Sequence, residues 1–384
     1  MYDLDHLRAS EFPISEHAIY FNHAAISPLP ARTVRRMQWI TERLAHDPTA
    51  TFVEHVMPMM DTLDGDLAAL INAADPVEIQ AVSTTSAALN AVAQAIEWKA
   101  GDNVLFCEVE FPSNAFPWML LERKGVEVRQ VPAVNGGLEL SALVPLVDER
   151  TRLVAASAIQ FFTGHRTNLH AVGAFCRERG ILFVVDAIQA IGHMVIDVQA
   201  MNIDVLASGG QKSLLAAPGT GFLYVRQDLA EQLQPRGLGP NATQNYHQWL
   251  DYDLTPLPGA DRFAMGTPDV VGLYAMKESV SLLRELGVAN IDRHTTALAA
   301  EAIAMLERLG CNCLTEPGQG PIVTFDPEMS EADAQALVNR LQEEQITVSL
   351  RHDPNHNPYI RLSFHAYNTS DELRRFEAAF KALI

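Results

Sequence analysis

Two hydrophobic periods alternate along the first two-thirds of the chain. Short runs rich in apolar residues, at 78–82, 103–107, 126–131, 153–159, 181–185 and 203–207, are strand-length and too short for helices. Between them lie segments whose apolar residues recur at helical spacing: Val34, Met37, Ile40 and Leu44, then Leu89, Val92 and Ile96. These patterns predict helices over 31–45, 59–73, 85–98, 114–123, 140–147 and 171–179. Strand and helix in alternation predict an α/β fold, a mostly parallel sheet flanked by helices. In such a sheet, ligands sit at the C-terminal ends of the strands.

The pattern changes near Tyr246. Residues 246–269 are rich in Pro, Asp and Gly and hold little periodicity. Long helices are predicted over 270–285 and 289–309. Short strands follow at 322–325, 346–350 and 359–363, with a helix over 331–344 and a last one from Ser370. This reads as a smaller C-terminal α+β domain. The expected division is 17–255 for a large, cofactor-binding domain and 256–384 for the small one, with 1–16 packing on the latter.

Length supports two domains, since 384 residues exceed one ordinary core. The net charge of −19 argues against nucleic acid or an anionic membrane as partner. No apolar run reaches the length of a membrane span and no leader precedes the first element, so a cytoplasmic protein is expected. Cys107, Cys176, Cys311 and Cys313 form no metal-spaced pair. Cys107 and Cys176 read as buried small hydrophobes, and Cys311 and Cys313 fall in a short strand. His352 and His356 are four apart, but Asp353 and Pro354 break the helix that a metal-binding spacing would need, so no metal site is expected.

Chemistry concentrates in residues 183–224. Phe183, Val184 and Val185 form a strand buried on both faces, and Asp186 ends it. A carboxylate there needs compensation for its lost hydration. The next strand runs into Ser208, Gly209, Gly210, Gln211 and Lys212, followed by the turn Pro218-Gly219-Thr220-Gly221. A lysine on a glycine-flanked loop beside an acid at a strand end suits pyridoxal phosphate. That cofactor needs a lysine for its Schiff base and an acid to keep its pyridine nitrogen protonated.

Other segments add to this. Ser83, Thr84, Thr85 and Ser86 join a strand to a helix start, where hydroxyls and free N–H groups bind phosphate; a plain N-cap is the alternative. Phe111, after the next strand, can stack on a planar cofactor or serve as a core aromatic. Arg361, within an apolar strand, calls for a carboxylate: a substrate's, or a salt-bridge partner's.

Taken together, these blocks resemble the class V aminotransferases, the fold-type I pyridoxal-phosphate enzymes that include cysteine desulfurases, isopenicillin N epimerase and kynureninase. The resemblance spans Tyr20 to Tyr367, through YFNHAAISPLP, STTSAALN, EFPSNAFPW, QFFTGHRTNL, VDAIQAIGH, GGQKSLLAAPGTGF, MGTPDV and IRLSFHAYNT in the family's order. It implies Thr85 and Ser86 on the phosphate, Phe111 on the ring, Asp186 at the pyridine nitrogen, Gln189 near the ring hydroxyl and Lys212 as the covalent attachment, with Gln211 beside it. It implies a homodimer in which Thr267 reaches the partner subunit's phosphate. Arg361 would hold the carboxylate of an amino-acid substrate, with His23 and Ala24, in the 22–26 loop, contributing to its pocket.

Two departures bear on the reaction. Desulfurases commonly carry serine three places and histidine one place before the lysine, where this chain has Gly209 and Gln211. They also carry a nucleophilic cysteine on a small-domain loop, whereas SLRHDPNHNPYIRLSFHA between Val348 and Tyr367 contains none. The expectation is therefore amino-group transfer, with Lys212 moving the substrate's Cα proton. β-Elimination from a sulfur amino acid is the nearest rival and epimerisation the third; desulfuration through a persulfide and a non-catalytic cofactor-binding role rank below them.

Overall fold

The computed structural model describes residues 2–248 and 250–383. Its main sheet has seven strands: β1 (Ile79–Val82), β2 (Asn103–Cys107), β3 (Glu127–Val131), β4 (Thr151–Ser157), β5 (Leu182–Asp186), β6 (Val205–Gly209) and β7 (Gly221–Val225). Their spatial order is β1-β7-β6-β5-β4-β2-β3. The run from β6 to β3 is parallel, whereas β7 is antiparallel to both β1 and β6.

Alternate side chains feed two cores, as a sheet covered on both faces requires. Leu105, Val154, Phe183, Val185, Leu206 and Phe222 enter one. Their neighbours Val104, Phe106, Leu153, Ala155, Val184 and Leu223 enter the other. The antiparallel β7 was not expected from the sequence. It returns through the Pro218–Gly221 turn, where Gly219 has φ +87°. A Cβ on Gly221 would lie 2.3 Å from the Ser208 carbonyl, so the hairpin closes only over glycine.

The helices that fix this sheet's ligand edge are α1 (Ala31–His46), α2 (Met57–Ile71), α3 (Thr85–Ala95), α4 (Val270–Leu286) and α5 (Val288–Arg308). The helix predicted over 114–123 is instead broken into short turns: Pro112–Asn114, Phe116–Met119 and Leu120–Lys124. Pro112 and Pro117 lack the N–H that a continuous helix needs. Pro145 cuts the segment predicted over 140–147 in the same way.

A second sheet comprises β8 (Ile322–Asp326), β9 (Ser349–His352), β10 (Pro358–Ser363) and the edge strand Asn312–Cys313, in the order β9-β10-β8-edge. It packs with α5, α6 (Glu331–Glu343) and α7 (Ser370–Leu383) around Val323, Phe325, Ile360, Leu362, Phe376 and Phe380. Ile19–Tyr20 pairs in parallel with Ile346–Thr347, whereas Leu7 and Phe12 belong to the main core. Leu273, Met276 and Leu283 of α4 belong instead to the main core. Among the described residues, no helix is long and apolar enough to cross a membrane.

Candidate active site at the C-terminal edge of the sheet

Five strand ends converge on one edge. β1 delivers Ser83 and the start of α3, β2 delivers Glu110 and Phe111, and β4 delivers Ser157 and Gln160. β5 ends on Asp186 and leads to Gln189, and β6 leads to Lys212. Parallel pairing sets Asp186 level with Ser157 on one side and Ala207 on the other.

Lys212 is held by the loop around it. The Gly210 N–H bonds to the Thr220 carbonyl at 2.7 Å, and Ala216 N–H bonds to the Gly210 carbonyl at 2.8 Å. Ser213 Oγ donates to the Ile188 carbonyl, and His365 Nε2 donates to the Ser213 carbonyl. The ammonium lies 5.2 Å from the centroid of the Phe111 ring. Burial lowers its pKa to about 8; Asp186 opposes that shift, and Arg361 and Arg351 add to it.

Asp186 is buried, accepts the Ile188 N–H at 3.0 Å and forms no salt bridge within 4 Å among the described residues. Burial pushes its carboxyl up to about 6, with the Ile188 N–H and Lys212 pulling the other way. Glu110 lies nearby, a second buried acid not expected at the site. It accepts the Ser157 N–H at 2.7 Å, the Ser157 hydroxyl, and Gln160 Nε2 at 3.0 Å. Burial holds Glu110 up at about 7 against these bonds. The signal that singled out Asp186, an acid directly closing an apolar strand, falls after β2 on Glu108, and Glu110 lies two residues further on in the following turn.

At the other end of the edge, Thr84 caps α3 by accepting the Ala87 N–H. That leaves the N–H groups of Thr85 and Ser86 without a partner among the described residues, an anion cradle at the helix start. Ser86 Oγ lies 2.6 Å from Ser113 Oγ. Thr85 Oγ1 accepts the Gly209 N–H at 2.8 Å, tying this helix to the lysine loop. A Cβ on Gly209 would come within 2.7 Å of Gln211 Oε1 and 3.4 Å of Thr85 Oγ1.

The small domain closes the site with β10. Arg361 is 1% exposed and donates through Nη1 to the Phe161 carbonyl. Its Nε and Nη2 are buried without a hydrogen-bond partner. Among the described residues no acid lies within salt-bridge distance, which removes the structural ion pair as the explanation of this arginine. Burial, then Arg351, holds it down at about 9.

Other expected site residues sit further back. Gln189 donates to the Ala24 carbonyl at 2.9 Å, and the Ala24 N–H bonds to Ser363 Oγ at 2.8 Å. His23 is buried against Tyr20, His365 and Tyr367, with Nδ1 2.9 Å from Ser27 Oγ. Gln211 is half-buried, and its carbonyl accepts the Ser27 N–H. Thr267 stands apart from this cluster, exposed on the wall of a groove of about 1250 Å³ that also includes Ser83, Thr220, Tyr246 and Met265.

This set fits pyridoxal phosphate. It offers an anion cradle at one end, a lysine of lowered pKa facing an aromatic ring, and a buried carboxylate lacking a salt bridge, all on one sheet edge. The fold and site define a fold-type I pyridoxal-phosphate enzyme. The chain belongs to the class-V aminotransferase family, whose profile matches residues 19–376.

A probable cysteine desulfurase of Methanothermobacter thermautotrophicus is 29% identical over 380 residues, covering 95% of this chain and 94% of that one. A cysteine desulfurase of Thermococcus onnurineus superposes with a TM-score of 0.89 at 24% identity, over 100% of this chain and 98% of that one. A cystine C–S lyase solved with its product, cysteine persulfide, superposes at 0.88 and 22% identity, over 96% and 99%. These likenesses correct the expectation of amino-group transfer. The similar chains are primarily desulfurases, and the alternative of C–S bond chemistry agrees with them better.

Proposed function

We propose that this enzyme cleaves the Cβ–S bond of a sulfur-containing amino acid by β-elimination, without a protein thiol as nucleophile. The desulfurase and lyase relatives support C–S cleavage as the shared chemistry. The choice of elimination rests on one observation: the β9–β10 hairpin that carries Arg361 has no cysteine. Its tip is a tight turn in which Asp353 accepts the N–H groups of Asn355 and Asn357 and the Asn357 side-chain amide. Cys107 and Cys176 are buried in the main core. Cys311 and Cys313 lie at the far edge of the small sheet, which β8 separates from β10.

The geometry supports the following roles. Arg361 takes the substrate's α-carboxylate on its unpaired Nε and Nη2, a fork that matches two carboxylate oxygens. The first turn of α3, with Thr85 and Ser86, holds the phosphate, and Phe111 covers the ring face. Asp186 pairs with the pyridine nitrogen, each charge favouring the other. When bound, the cofactor supplies an electron sink for the negative charge at the substrate's Cα. Lys212, with its lowered pKa, takes the Cα proton as general base. The Cβ–S electron pair leaves with sulfur, which gains a proton as thiol or persulfide; water then releases the remaining fragment as pyruvate and ammonia.

We propose further that the enzyme is a homodimer with Thr267 at the partner subunit's phosphate. Leu250, Tyr252, Leu254 and Met265 are 91, 87, 74 and 69% exposed, apolar side chains that a second copy would cover. Light scattering checks it, and a fully active monomer would refute it.

The deciding experiment gives cystine, cysteine and S-substituted cysteines to the purified enzyme and weighs the products. Pyruvate with ammonia and a sulfur fragment supports elimination. Alanine with sulfide, lost on replacing one cysteine, would instead establish a persulfide route.

A further inference from the structure

The small-domain hairpin presents a second arginine to the site that the reaction above does not use. Residue pairing sets Ser349 opposite Arg361 and Arg351 opposite Tyr359. Cross-strand partners and residues two apart share a face. Arg351, Ser349, Tyr359 and Arg361 therefore all point the same way, and Arg351 is diagonal to Arg361. Arg361 donates to the Phe161 carbonyl, Phe161 packs on the Phe111 ring that faces Lys212, and Tyr359 packs on Phe162, so that shared face is the one turned to the active site.

Arg351 is half-buried, its Nε is enclosed without a partner, and its only hydrogen bond among the described residues is a long 3.4 Å contact to the adjacent Leu350 carbonyl. No acid within 4 Å compensates it among those residues. An uncompensated, partly buried cation is costly, and a site retains one where a ligand brings the anion.

The charges around the site leave Arg351 in surplus. Arg361 has two unpaired nitrogens, enough for one carboxylate. The phosphate cradle is at the start of α3, on the main sheet. Asp186 is committed to the ring nitrogen, and Glu110 is tied to Ser157 and Gln160. With the α-carboxylate, phosphate and ring each provided for, one positive charge remains on the small-domain side. Around it stand Tyr359 and Phe162, with ring centroids 5.4 Å apart, then Phe161, 5.0 Å from Phe111. This gives an apolar wall ending in a cation.

We infer that Arg351 is a specificity residue that binds a second acidic group, carried beyond the sulfur on the substrate's side chain. The substrate class is then a sulfur amino acid with a distal carboxylate, its thioether or disulfide lying along the aromatic wall. The inference rests on the reading of Arg361 as the α-carboxylate site, not on the elimination step.

Calorimetric titration of the holoenzyme tests it with two unreactive thioethers. 3-(Methylthio)propanoate carries one carboxylate, and 3-(carboxymethylthio)propanoate carries a second beyond the sulfur. The wild type should bind the diacid roughly tenfold more tightly, a gain of about 1.4 kcal/mol. Arg351→Gln should abolish that preference and leave the monoacid within twofold, Arg351→Lys should retain part of it, and Arg361→Gln should weaken both ligands. Melting curves check that each variant is folded. Equal binding of the two acids by wild type, failure of the diacid to bind, or an equal loss for both acids in Arg351→Gln would overturn the assignment. No turnover is read, so a failed lyase assay would leave this result standing, and the converse.

Discussion

Thr85 Oγ1 accepts the backbone N–H of Gly209 at 2.8 Å across 124 residues of sequence. That bond joins the helix offering the anion cradle to the loop that carries Lys212. Thr85→Val keeps the shape but leaves the buried Gly209 N–H without an acceptor, at a cost of about 1–3 kcal/mol. Cofactor affinity should fall at least several-fold, read by fluorescence titration of the apoprotein, and Thr85→Ser should restore most of it. Unchanged affinity in the valine variant would show that the bond does not couple the two elements.

Lys212 in the cofactor-free protein should react with an amine-modifying reagent with a midpoint near pH 8, below an ordinary lysine. Asp186 is the acid that opposes the lowering, so Asp186→Asn should move the midpoint lower still. Peptide mapping across a pH series reads this directly. With cofactor added, borohydride should fix it to Lys212; label on another lysine would contradict the site.

Glu110 should make folding stability depend on pH. Burial holds its folded pKa up at about 7. Between the ordinary carboxylate range and about 7, the unfolded chain releases this proton and the folded chain keeps it. Stability therefore declines as pH rises through that window. Glu110→Gln removes the effect. Relative to wild type, the variant should gain about 1–3 kcal/mol between pH 4.5 and pH 8 in urea titrations. A constant difference across that range would mean that Glu110 is ionised in the folded protein.

Replacing Cys107, Cys176, Cys311 and Cys313 together should leave turnover per folded molecule largely intact. The buried pair should cost stability, about 1–3 kcal/mol in sum for small core side chains. The comparison is steady-state kinetics with the folded fraction measured alongside. A folded, cofactor-loaded variant without activity would reverse the choice of elimination over a persulfide.

The sequence alone determined what is local. Strand and helix periods located most of the parallel sheet, and Asp186 and Lys212 were legible because an acid closing an apolar strand and a lysine among glycines are marked by their immediate neighbours. Prolines broke two predicted helices, a conflict visible in the sequence but outweighed there by apolar spacing. Tertiary structure decided the rest. The reversal of β7, the approach of Glu110 to Ser157 47 residues away, and the burial of Arg361 against the Phe161 carbonyl 200 residues away all depend on long-range pairing. Periodicity reports which face of an element is buried, but not which distant group lies against it. A charged side chain's chemistry is set by that neighbour, and for Arg361 and Arg351 the neighbour that would neutralise them is missing from the described chain.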